Sequence, residues 1–203
     1  MAGRELIPAE TVDEVFKALA VLARTVDHVL QERAVENALG QPVSLSKIQV
    51  LRLLHRRGAQ TPSGIARFLG VTRPSVSQLI ESLEDMGWIT RRSGVRDGRE
   101  FLLELSEEGR ERFLAVRRQQ RHLLRSALRQ AGSRGASAWI RTLREIAQSL
   151  AQADRAFDAF CLQCGAHADG TCVLVGGEAD CPFLHPSTPR REGRRRLRPR
   201  DRA

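Results

Sequence analysis

Between residues 61 and 105 the apolar period changes from that of a helix to that of a strand, and no other feature of the chain constrains its fold as tightly. Before residue 88 the pattern is helical and punctuated by glycine. A helix over about 44–57 places Leu45, Ile48, Leu51 and Leu54 on one face and stops at Gly58. Thr61 begins a short helix, TPSGIARFLG, which Gly70 breaks. TRPSVSQLIESLEDM follows as a further helix, with Gly87 past its end. Then WITRR and EFLLEL read as two short strands joined by SGVRDGR, whose glycines at 94 and 98 suit a hairpin turn.

Residues 62–81, PSGIARFLGVTRPSVSQLIE, have the spacing of a helix-turn-helix. Ala66 is small where the second helix must cross close to it, and Gly70 sits at the turn, where a left-handed backbone is needed. Ile65, Leu69, Val71, Val76 and Leu79 are expected to fill the wedge between the helices. Thr72 is placed to cap the second helix, and Pro74 is tolerated in its first turn. The outward positions are then Thr72 itself, Arg73, Ser75, Ser77 and Gln78, short or forked polar groups that suit base edges and phosphates in a major groove. A merely solvated helical hairpin would show the same pattern. The hairpin behind it favours DNA: RRSGVRDGR gathers Arg91, Arg92, Arg96 and Arg99 around one acid, Asp97, which can hold Arg99 by a bidentate pair.

Long helices are expected on both sides of this core. Residues 11–38 carry Val15, Leu19, Leu22, Val26 and Val29 in alternating steps of four and three, and Gly40, Gln41 and Pro42 end the run. Ser106 caps a helix to about Gln130, with Glu107 and Glu108 in its first turn. A last helix over about 136–160 repeats the heptad step through Trp139, Leu143, Ile146, Leu150, Ala153, Phe157 and Phe160. Two such seams suggest a homodimer. The expected fold is mainly α with a small β-hairpin wing: a winged helix-turn-helix core flanked by long N- and C-terminal dimerisation helices. The expected units are 1–40, 44–105, 106–160, a cysteine-rich module at 161–185 and an Arg-rich tail at 186–203.

The order of helices, the stretch LSKIQVLRLLHRRGAQTPSGIARFLGVTRPSVSQLIESLEDMGWITR and the wing DGREFLLELSEEG resemble the MarR family of bacterial regulators over about residues 11–158. The wing looks like that family's D-x-R followed by a strand ending in L-[ST]-x-x-G. The resemblance implies a homodimer on a pseudo-palindromic operator, a recognition helix at 72–86, and Asp97 and Arg99 as the wing pair. Many relatives have a second arginine after the aspartate; Gly98 stands there in this chain, with Arg96 nearby. No motif locates the family's small-ligand pocket.

The net charge is +9, and the last 14 residues supply +6 of it with eight Arg against Glu192 and Asp201. Basic charge on this scale points to a polyanion partner. That tail is too charged and proline-broken to fold and is expected to act as an arm adding nonspecific DNA affinity. No apolar run approaches a membrane span, and the first residues lack the form of a signal peptide, so a cytoplasmic location is expected.

All four cysteines fall within CLQCGAHADGTCVLVGGEADC: Cys161, Cys164, Cys172 and Cys181. The C-x2-C start followed by glycine has the form of a metal knuckle, and four thiolates can close a Zn2+ site. An iron–sulfur cluster, which the Cys181–Pro182 step suits, and a metal-free thiol–disulfide switch remain open, as does an incidental tail. Either module type could act as a redox or metal effector of DNA binding. A thiol oxidoreductase using Cys161 and Cys164 is the enzymatic alternative, but no βαβ pattern surrounds the motif, and neither a Ser/His/Asp arrangement nor a phosphate loop is visible. A winged helix serving only protein or RNA contacts is the other alternative. A DNA-binding regulator, most simply a repressor, is the reading preferred here over an enzyme.

Overall fold

The structure is a computed structural model, and it describes residues 7–93, 101–132 and 136–153. Helix α1 spans Ala9–Thr25 and runs on through a π-helical stretch, Val26–Arg33, into α2, Ala34–Leu39. Then come α3 (Leu45–Arg57), α4 (Pro62–Leu69), α5 (Arg73–Asp85), strands β1 (Ile89–Ser93) and β2 (Phe101–Leu105), α6 (Glu107–Gln130) and α7 (Ala136–Ala153). The period change at residue 88 is therefore where the chain leaves the helices for the hairpin. Residues 154–160 of the expected last helix, the wing-tip residues Arg96, Asp97 and Arg99, the cysteine module and the Arg-rich tail lie outside the described residues.

The expectation of one uninterrupted α-helix over 11–38 needs correction. Eight residues, Val26–Arg33, adopt the wider π-helix with i→i+5 bonding. A contact from 90 residues away in sequence falls within this stretch: the Gln120 amide of α6 donates to the Leu30 carbonyl at 2.8 Å. A side chain entering the backbone ladder diverts carbonyls from their usual partners. Gln120 is also the one buried polar side chain among the described residues.

One core gathers the middle of the chain. Val35, Ile48, Val50, Leu51, Ile65, Val76, Leu83, Leu103 and Val116 are fully buried, drawn from α2, α3, α4, α5, β2 and α6. Helix α3 buries more than the single face read from its period. Val50 and Leu53 are buried as well as Ile48, Leu51 and Leu54, whereas Leu45 stays 43% exposed. Neighbours on several sides explain this, since α3 touches α4, α5, α6 and β2.

The hairpin is antiparallel, with Ile89 opposite Leu105, Arg91 opposite Leu103 and Ser93 opposite Phe101. A third short partner joins it. Gln60, just before α4, exchanges both backbone hydrogen bonds with Leu103, at 2.9 and 2.8 Å. The wing is thereby tied to the segment that enters the helix-turn-helix.

Candidate nucleic-acid interface

Helix α4 starts with Thr61, whose Oγ1 accepts from the Gly64 amide at 3.0 Å, and Pro62 at the first helical position loses no bond the helix would have made. It ends at Gly70 with φ +68°. There the Val71 amide reaches back to the Ala66 carbonyl at 3.1 Å and the Gly70 amide to Arg67 at 3.3 Å, a paired closure that needs the left-handed residue between. The turn thus folds as its sequence predicts.

The wedge is filled somewhat differently. Ile65 and Val76 are buried, and Leu69 and Leu79 pack partly against the core. Val71 does not fill it: the same closure that spends its amide on Ala66 leaves its side chain 43% exposed. Phe68, Ile80 and Leu83 take that role instead.

Thr72, Arg73, Ser75, Ser77 and Gln78 are all exposed on the start of α5. Thr72 occupies the cap position but makes no side-chain bond to a helix amide. Its Oγ1 pairs with Ser75 Oγ at 3.0 Å, while Ser77 Oγ donates to the Arg73 carbonyl at 3.3 Å. The stretch from Thr72 to Ile80 contains no acid; Glu81, Glu84 and Asp85 all lie beyond it. Uncommitted amides, the positive helix end and Arg73 therefore coincide, an arrangement receptive to phosphate.

The base of the wing is knotted to the end of α5. After Met86 the Gly87 amide bonds the Glu84 carbonyl at 2.8 Å and the Trp88 amide bonds Leu83 at 3.0 Å. Ser106 then joins three segments. Its amide donates to the Trp88 carbonyl at 3.1 Å, its Oγ donates to the Gly87 carbonyl at 2.6 Å, and the same Oγ accepts from the Gly109 amide at 2.9 Å. A Cβ on Gly109 would collide with the Trp88 carbonyl, so the glycine of the L-S-E-E-G run is required by close approach and not by helix geometry.

Strand alternation sends Arg91 and Arg92 to opposite faces of the hairpin. Arg91 donates from Nε and Nη2 to the two carboxylate oxygens of Glu84, at 2.6 and 2.7 Å, and lies 4.4 Å from the centroid of the Phe101 ring. Those hydrogen bonds push its pKa further above the ordinary arginine range. Among the described residues Arg92 has a looser ion pair, 3.7 Å to Glu104. The Glu84–Arg91–Phe101 arrangement was not legible in sequence, because seven residues of turn and strand separate the pair.

A second feature missed in sequence is a cavity of about 200 Å³ between α3 and α6, lined among others by Arg52, His55, Arg56, Phe113, Arg117 and Arg121. The two strips are visible at helical spacing, Arg52, His55 and Arg56 on one helix and Phe113, Arg117 and Arg121 on the other; that they face each other is not. His55 stacks obliquely on Phe113 at 5.0 Å, and its Nδ1 is buried without a hydrogen-bond partner among the described residues. Burial first, then Arg110, Arg56 and Arg117, lowers its pKa. Among the described residues no group of His, Cys, Asp and Glu is arranged to hold a metal ion, and no helix is long and apolar enough to cross a membrane.

A three-helix core with its second and third helices at a tight turn, closed by a hairpin, defines a winged helix-turn-helix protein. Residues 43–101 match the model of the MarR family. A curated relative, the uncharacterized HTH-type transcriptional regulator Mb0904 of Mycobacterium bovis, is 40% identical over 87 residues, 43% of this chain and 61% of that protein. The HTH-type transcriptional repressor YetL of Bacillus subtilis is 28% identical over 105 residues, 49% of this chain and 59% of that one. The chain thus spans about three fifths of the length of these curated relatives. Among solved structures, a MarR family protein from Bacillus stearothermophilus is similar with a TM-score of 0.59 at 20% identity, covering 71% of this chain and 99% of that one. Streptococcus pneumoniae FabT in complex with DNA gives 0.59 at 19%, covering 70% and 99%. These two likenesses show the fold.

Proposed function

We propose that the chain is a sequence-specific DNA-binding transcriptional regulator, a repressor that acts as a homodimer. The observation that carries this reading is the acid-free, exposed start of α5 held beside an arginine-bearing wing by the Ser106 knot. Recognition would run through Thr72, Arg73, Ser75, Ser77 and Gln78 in a major groove, with Arg92, Arg96 and Arg99 on phosphates or in the minor groove and Asp97 holding Arg99. The MarR-family match over 43–101, the repressor YetL and the DNA-bound FabT support the same reading.

The dimer is supported by what the core leaves out. No residue of α1 or α7 joins the core cluster among the described residues. Yet Val15, Phe16 and Leu22 on α1 and Trp139, Leu143 and Leu150 on α7 are large and more than 40% exposed. A stripe of that size normally meets a partner. The Arg-lined cavity is where a small anionic effector would sit, against the otherwise unpartnered His55 nitrogen.

Cys161, Cys164, Cys172 and Cys181 would form a Zn2+ site at the end of the dimer helix, with an iron–sulfur cluster or a disulfide switch as alternative chemistries. No catalytic step is assigned to any residue. The decisive experiment is selection of duplexes from a random pool by the full chain, followed by footprinting and sedimentation. A twofold-symmetric site bound by a dimer is expected; a monomer indifferent to every duplex at modest salt overturns the reading. Anaerobic purification with metal analysis separates a colourless chain with about one zinc from a brown iron–sulfur protein.

A further inference from the structure

Arg91 looks at first like one more phosphate-binding arginine of the wing. Its side chain is about half exposed, and its geometry suits a second role. Arg91 commits Nε and Nη2 to the two oxygens of Glu84 at 2.6 and 2.7 Å, which fixes the plane of its guanidinium. It lies over the ring of Phe101 on the neighbouring strand, 4.4 Å from the centroid. Three elements meet there: the last turn of the recognition helix through Glu84, β1 through Arg91 and β2 through Phe101. Leu103, directly across from Arg91, is fully buried, so this side chain leaves the face of the hairpin that packs on the protein. Arg92, one residue on, leaves the opposite face. A planar fork pairing side-on with a carboxylate fixes direction as well as distance, which a single charge contact does not.

We infer that Arg91 is a positioning residue: with Glu84 and Phe101 it sets the angle of the wing to the recognition helix, so that both engage one duplex, and it neutralises no phosphate itself. This rests on the DNA-binding reading above. The two roles differ in the sign of one effect. If the local charges act directly on DNA, Glu84→Gln removes an acid beside a polyanion and tightens binding. If the pair positions the wing, Glu84→Gln weakens binding just as Arg91→Gln does.

The test measures binding of the full chain to its own selected duplex over a salt series, for wild type, R91Q, E84Q, R91K and the double variant. Each single variant, R91K included, is expected to bind roughly three- to tenfold more weakly, in keeping with loss of one bidentate, ring-stacked pair. The log K against log salt lines should stay parallel to wild type, and the double variant should be no weaker than the worse single one. A slope that falls by about 0.9 in R91Q marks a lost phosphate contact and overturns the inference, as does tighter binding by E84Q. In DNA-free protein, amide hydrogen exchange over 89–93 and 101–105 should be faster in both R91Q and E84Q; unchanged exchange overturns the clamp. A wild-type chain that selects no duplex refutes the regulator reading, and the exchange measurement then still reports whether the clamp holds the hairpin.

Discussion

Replacing Gly109 by alanine sets a local preference against a tertiary contact, and the two give opposite signs. Gly109 lies three residues into α6 after the Ser106 cap. Helix propensity alone makes Gly109→Ala stabilising by about 1 kcal/mol. In the folded chain, however, the new Cβ would meet the backbone carbonyl of Trp88, which no side-chain rotation can avoid. Helix α6 must then back away from residues 87–88. Overpacking of this kind costs about 1–3 kcal/mol. The same movement stretches the Ser106 amide bond to Trp88, now 3.1 Å, and the Ser106 Oγ bond to Gly87, now 2.6 Å. Each is worth about 0.5–1.5 kcal/mol net. Setting the helix gain against these terms leaves a destabilisation of roughly 1–5 kcal/mol, or about 2–4 °C of Tm per kcal/mol for a chain of this size. Urea unfolding followed by helical circular dichroism measures it, and Trp88 fluorescence in a Trp139→Phe background reports the same site. Ser106→Ala should cost about 1 kcal/mol through the cap alone. The double variant should cost less than the sum, because both changes release one knot. An alanine variant as stable as wild type, or more so, refutes the account of why glycine stands there.

Other outcomes follow from the same structure. Burial and the neighbouring arginines hold the His55 pKa below its ordinary 6.5, so between the two values the unfolded chain binds more protons. The stability His55 contributes is thus complete above about 6.5 and lost as pH falls through the folded value; His55→Leu should flatten the pH dependence of urea midpoints in that window. Gln120→Leu leaves the Leu30 carbonyl without its 2.8 Å donor and should cost about 1–3 kcal/mol, with faster amide exchange across 26–33. Deleting residues 190–203 removes eight arginines and should make the salt dependence of DNA binding shallower; an unchanged slope means that those charges do not touch DNA.

The sequence alone was enough for the order of elements. Thr61 before Pro62, glycine at 70 and 87, and the shift to strand period at 88 are local signals, and each acts within a few residues of where it stands. The exposed polar face of α5 was equally legible, since helical period alone decides which side chains leave the core. Where residues distant in sequence meet, only the tertiary structure could decide. The π-helical stretch carries the Gln120–Leu30 bond across 90 residues of sequence, and Val71 is exposed while Phe68, Ile80 and Leu83 are buried. Arg91 faces Glu84 only because the knot at Ser106 fixes the hairpin against the helix end. Hydrophobic period and capping act through the nearest few bonds of the chain, whereas packing and ion pairing depend on distances that exist only once the chain has folded.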